Sequence, residues 1–99
     1  MKHFLCKLIP PRFTFAEDIT EDEKKLMQEH IIYWTDLVNQ GTAIVFGPVC
    51  DTKGVWGVGI IEVEEEEDAH AIGAGDPVIK ANRNFKFEVY PMPIATVRK

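Results

Sequence analysis

Three things are scarce in this chain, and each scarcity narrows what it can be. Cysteine occurs twice, at Cys6 and Cys50, with no CxxC spacing. That leaves no disulfide framework and no thiolate metal or redox motif. Both cysteines read as small core residues in a reducing compartment, which makes the cytoplasm the expected location. Basic residues are outnumbered, with 11 Lys and Arg against 16 Asp and Glu, a net charge of −5. This balance argues against nucleic acid, whose binders carry a basic face, and against an anionic membrane surface. Long apolar runs are missing too: nothing approaches the ~20 residues that span a bilayer, and the first residues, MKHFLCKLIPP, are too few and too charged for a signal peptide.

Familiar catalytic signatures are equally scarce. There is no P-loop, nucleophile elbow or HExxH. The glycines Gly54, Gly57 and Gly59 lead into an apolar strand pattern rather than a helix, so they make no dinucleotide fingerprint. The acidic run Glu64–Asp68 lacks the spacing and glycine of a calcium loop and reads as a solvated helix start. No cofactor and no metal is expected.

What is present describes one α+β domain over residues 1–99. Residues 2–9 alternate as a strand, with Phe4, Cys6 and Leu8 on one face and Leu5 and Ile9 on the other. Pro10-Pro11 ends it, and PPRFTFAED reads as a loop. Thr20-Glu21-Asp22-Glu23 fits the S/T-x-x-E capping box and opens a helix over 20–40, stopped by Gly41. Leu26, Met27, Ile31, Trp34, Leu37 and Val38 form its apolar stripe.

A strand over 42–49, broken at Gly47-Pro48, turns through Asp51–Gly54 and returns over 56–63 as a hairpin. The acidic run begins a second helix reaching Ala74, Asp76-Pro77 restarts a brief helical turn, and 85–91 alternates as a last strand. The order β-α-β-β-α-β predicts a ferredoxin-like fold, with two helices on one face of a four-stranded antiparallel sheet. The other face should then turn polar. Ile44, Val45 and Phe46, with Val58, Ile60, Ile61 and Val63, are instead apolar on both sides. A second copy packed sheet to sheet is the economical cover, so a homodimer is expected.

One polar residue breaks the stripe of the first helix. His30 falls inside the apolar arc, among Leu26, Trp34 and Leu37. Its ordinary titration near neutrality suits proton transfer, while the plainer alternative is a neutral, inert core histidine. His3 and His70 are weaker candidates. A proton-transferring imidazole needs an orienting carboxylate, and both Asp76 and Asp51 stand at special turns. Each has a structural alternative, Asp76 as a helix cap before Pro77 and Asp51 as a turn residue. Arg12, on the loop before the helix, is a candidate for holding a substrate carboxylate. Arg12, Asp51 and Trp34 are the expected ligand contacts.

Taken in series, Glu29–Trp34, the stretch GPVCDTKG (47–54), Gly75-Asp76-Pro77 and Glu88-Val89-Tyr90-Pro91 resemble the YCII-related (YciI-like) domain family over nearly the whole chain. The Pro10-Pro11-Arg12 loop with Phe15 and Asp18 is similar to one branch of that family. The resemblance implies a ferredoxin-like fold that dimerises into an α+β barrel, and a site built on His30 with Asp76 as partner. Related barrels include isomerases, eliminating enzymes and oxygenases that need no metal. The chain departs from the commonest pattern in the acidic run between the helices and in Asn82-Arg83-Asn84, where a glycine turn is common.

Three functions compete. The first is a small-molecule enzyme in which a His/Asp pair moves a proton without a cofactor, in an isomerisation or elimination. The second is a non-catalytic binding or regulatory dimer using the same pocket. The third is a purely structural module.

Overall fold

The computed structural model describes residues 1–98. Its elements run β1 (Lys2–Ile9), α1 (Phe15–Asp18), α2 (Glu21–Asn39), β2 (Ala43–Val49), β3 (Trp56–Val63), α3 (Glu66–Gly75), α4 (Pro77–Lys80) and β4 (Lys86–Met92). The four strands form one antiparallel sheet in the order β2-β3-β1-β4, the ferredoxin-like arrangement.

Alternation decides which side chains meet the helices. In β1, Phe4, Cys6 and Leu8 are buried while their neighbours are half-buried. β3 contributes Ile61 and Val63 to the same inner face. β2 needs a correction to stay in phase, because Ala43 and Phe46 both belong to the inner core although three positions apart. The register supplies it: Ala43 pairs with Ile61 but Val45 with Ile60, so Ile44 is the extra residue of a bulge. Two contiguous clusters result. One gathers Phe4, Cys6, Trp34, Ala43 and Ile61, and the other Leu8, Phe15, Val78 and Phe85.

Helix α2 opens with the expected box. Thr20 accepts from the Glu23 amide at 3.2 Å and the Glu23 carboxylate accepts from the Thr20 amide at 2.9 Å. The face it buries is narrower than the predicted stripe, since Ile31 and Val38 lie exposed while Glu23, His30 and Trp34 are buried. Helix α3 begins two residues later than predicted, with the Glu65 amide donating to Asp68 at 3.0 Å. Tyr33 ties α2 to α3 by donating to the Ile72 carbonyl at 2.7 Å.

Other local differences have plain causes. The segment expected to be a loop before α2 contains the single helical turn α1, which lets Phe15 pack edge-on against Phe85 at 5.4 Å between ring centroids. β2 continues through Gly47-Pro48 rather than breaking there, because it is an edge strand and proline's missing donor can face away from β3. Cys50 is exposed at the hairpin, not a core residue, whereas Cys6 is buried. Asn82 and Asn84 take the left-handed backbone, with φ of 55° and 70°, and so supply the turn that glycine would otherwise make.

The outer face of the sheet keeps an apolar character. Val45 and Tyr90 are exposed there, beside the half-buried Leu5, Ile60 and Met92. Lys7 crosses the Trp56 ring on that side, 4.7 Å from its centroid. No helix among the described residues is long and apolar enough to cross a membrane.

Candidate active site

Asp76 stands at the junction of α3 and α4. A residue before proline is steered away from helical backbone, and Asp76 is extended (φ −65°, ψ 130°) with Pro77 opening α4. The corner turns its carboxylate back into the fold, where the residue is completely buried. Three donors converge on it. The Val78 amide reaches Oδ1 at 3.1 Å, while Trp34 Nε1 and His30 Nδ1 reach Oδ2 at 2.8 and 2.7 Å. The carboxylate is thus a cap for α4 and a ligand for two side chains of α2 at once.

His30 and Trp34 can share one oxygen because residues four apart lie one above the other on a helix. Trp34 donates only, so Oδ2 must accept from it. The imidazole orients its Nδ1 to the same oxygen, and a proton on Nδ1 leaves Nε2 with the lone pair. Nε2 has no hydrogen-bond partner among the described residues. It is nevertheless not sealed off, for the only buried, unpartnered side-chain nitrogen or oxygen among the described residues is His3 Nε2. His30 therefore presents one engaged nitrogen inward and one free nitrogen to accessible space.

That space is a cavity of about 320 Å³ between the inner sheet face and the α1–α2 side of the helical layer. Its walls come from Phe15, Ile19, Met27, Trp34, Phe46, Phe85 and Phe87, with Gly57 and Gly59 on the strand floor. A Cβ on Gly59 would run into the Trp34 ring. A Cβ on Gly57 would meet only Leu8, at 3.4 Å, and otherwise open space. Missing side chains on β3 thus seat the indole and leave the cavity its depth. Cys6 also lines the space, but burial pushes its thiol up to about 12, which keeps it protonated and unreactive. The Tyr33 phenol is pushed up too, first by burial and then by the charge of Asp76.

Of the predicted site residues, the fold brings together His30, Asp76 and Trp34. It places Asp51 elsewhere, accepting from the Lys53 amide at 2.9 Å and from Trp56 Nε1 at 3.1 Å, and these donors hold its carboxyl below the usual range. Arg12 is occupied as well. Its Nη1 and Nη2 grip both oxygens of Glu23 at 2.8 and 2.7 Å, and its Nε reaches Asp18 at 2.7 Å. With Nη2 also on the Asp18 carbonyl, four of its five N–H donors are taken by this chain. Neither Arg12 nor Asp51 lines the cavity.

The reason Arg12 is occupied was within reach of the sequence. Glu23, Met27, His30, Trp34 and Leu37 follow one another at intervals of three and four, so Glu23 shares the buried line of α2. A carboxylate on such a line needs a cation, and Arg12 precedes it by eleven residues. Glu23 is held down to about 2, chiefly by Arg12. The glycine floor had no comparable signal, because a glycine in a strand does not announce which neighbour fills its place.

The family model for the YCII-related domain matches residues 6–93, and the chain belongs to that family. None of the curated proteins matches it.

Proposed function

We propose that this protein is a small-molecule enzyme in which His30 moves a proton and Asp76 orients it. The observation that carries the reading is the split imidazole, with Nδ1 held by a buried carboxylate and Nε2 free beside a cavity. This is the arrangement of a general base held in one tautomer by a third group. Nε2 takes a proton from a C–H or O–H of the bound molecule, and Asp76 stabilises the imidazolium that forms. The same proton is then returned, to another atom of the substrate in an isomerisation or to a leaving group in an elimination. Both reactions run on groups the chain itself supplies.

The proposed working unit is a homodimer closed sheet to sheet into an α+β barrel. The exposed Val45 and Tyr90 and the half-buried Leu5, Ile60 and Met92 on the helix-free face support it, as a lone sheet face of this kind favours a partner. The two unpaired cysteines support a reducing, cytoplasmic setting.

The test is a metabolite screen by thermal shift against wild type and His30→Ala, followed by turnover assays on each hit. Turnover that survives His30→Ala unchanged rules out the proton-transfer assignment. Binding without turnover by either protein favours the non-catalytic binding dimer. An NMR titration of His30 adds a readout independent of any substrate: an imidazole that never protonates before the protein unfolds is a packing residue.

A further inference from the structure

The cavity beside His30 has a composition that constrains what can enter it. Its walls are aliphatic and aromatic; among the described residues no Lys, Arg, Asp or Glu lines it, and apart from the protonated Cys6 thiol its free polar side-chain group is the imidazole. Trp34 Nε1 is spent on Asp76, and Trp56 Nε1 on Asp51. Of the cations beside the cavity's lining residues, Arg12 is bound to Glu23 and Asp18, and Lys7 lies over the Trp56 ring on the outer face of the sheet. The carboxylate behind His30, Asp76, is fully buried and already accepts from three donors.

A carboxylate or phosphate entering such a space loses its hydration and finds no cation, since a protonated His30 is already balanced by Asp76. An ammonium fares no better without an accessible anion. A neutral molecule loses little, gains contact with the apolar walls, and can place a single O–H on the free nitrogen. Two aromatic pairs line the cavity, Phe15 edge-on to Phe85 and Trp34 stacked with Phe46, and such walls suit a flat ring.

We infer that the cavity takes an uncharged, mainly apolar ring compound whose one hydrogen-bond donor meets His30 Nε2, with Gly57 setting how wide that ring can be. The inference shares with the proposed function only the free nitrogen of His30. It concerns recognition and holds whether or not turnover follows. Gly57 enters because it faces the cavity from the strand floor, with Leu8 as the sole neighbour of a would-be Cβ. Any side chain there occupies ligand space.

Three probes of nearly one shape separate the contributions: 2-naphthol, naphthalene and 2-naphthoate. Binding is read by quenching of tryptophan fluorescence and by calorimetry at neutral pH. The expected order puts 2-naphthol about tenfold tighter than naphthalene, the worth of one hydrogen bond, and at least about tenfold tighter than the anion. In His30→Leu the advantage of 2-naphthol over naphthalene disappears. Gly57→Val weakens 2-naphthol by more than about tenfold by filling the space a ring needs. Gly57→Ala, whose methyl only touches Leu8, weakens it by about threefold and serves if the valine variant does not fold.

Equal or tighter binding of 2-naphthoate overturns the inference, and so does failure of all three probes to bind. Unchanged binding in a folded Gly57 variant removes the glycine from it. If 2-naphthol binds as expected and no weak acid is ever turned over, the enzyme reading fails while this one stands.

Discussion

His30 and Asp76 are 46 positions apart in the chain, and the fold closes them to 2.7 Å between Nδ1 and Oδ2. The contact lies at the point where α2 passes the corner between α3 and α4, and the carboxylate there is completely buried. Removing it leaves three N–H groups without an acceptor. Asp76→Ala should therefore destabilise the protein by about 3 kcal/mol or more, since each buried donor left unsatisfied costs about 1–3 kcal/mol. Equilibrium unfolding in denaturant measures this, and a loss below about 1 kcal/mol would show that the donors find other partners.

Trp34 contributes to that corner by its N–H and to the core by its ring, and the two can be separated. Trp34→Phe keeps an aromatic ring beneath Phe46 but gives up the 2.8 Å bond to Asp76. A hydrogen bond to a charged group is worth about 1.5–3 kcal/mol, so the loss should fall in or just above that range. The accompanying sign is in the His30 resonance: with one competing donor gone from Oδ2, its Nδ1–H signal should move.

Gly59 and Trp34 form a second coupled pair. A methyl at position 59 would occupy the place of the indole, so Gly59→Ala should cost about 1–3 kcal/mol through overpacking. Combined with Trp34→Leu, the two losses should fall short of their sum, because the smaller side chain vacates the space the methyl needs. Additive losses in a double-mutant cycle would argue that the ring does not rest on the glycine.

Acid sensitivity should trace to Glu23. Its carboxyl is held down to about 2 in the fold, from an ordinary 4.5, by Arg12 and the Thr20 amide. A depressed carboxylate adds stability that is complete above its unfolded value and is lost as pH falls through the folded one. The Tm of wild type should thus fall between pH values of about 4.5 and about 2. Glu23→Gln should start lower at neutral pH and show a shallower decline over the same window, since it has no proton to take up there.

The two thiols should behave differently toward an aromatic disulfide reagent. Cys50 is exposed and should react in the native protein, whereas Cys6 is buried, with its thiol pushed up to about 12. Native protein should yield one reactive equivalent, and denatured protein two. A second fast equivalent without denaturant would mean that the inner sheet face opens readily.

The order of elements, the single turn α1 apart, could be read directly from the chain, because each signal is local. The capping box at Thr20–Glu23, the alternation of Phe4, Cys6 and Leu8, and the Asp76-Pro77 junction need only neighbours within a few residues. His30 was visible for the same reason, since helical spacing alone places it in the apolar arc. Local patterns could not foresee the bulge at Ile44, which appears only when β2 must pair with β3, nor the exposure of Cys50.

The partnerships are a different matter, being choices among residues far apart. Asp51 and Asp76 looked alike along the chain, and packing put the first on Trp56 and the second on His30. Arg12 is an intermediate case: the helical period puts Glu23 on the buried line of α2 and so calls for a cation, but only packing makes Arg12 that cation. The cavity, too, exists because Gly57 and Gly59 lie opposite α2 across the core, and no local pattern says what faces a glycine. Secondary structure and the singular position of His30 followed from short-range periodicity, which any segment carries within itself. Which charges pair, and where space is left empty, depended on the three-dimensional juxtaposition of segments, because desolvation and packing act between whatever surfaces the fold brings face to face.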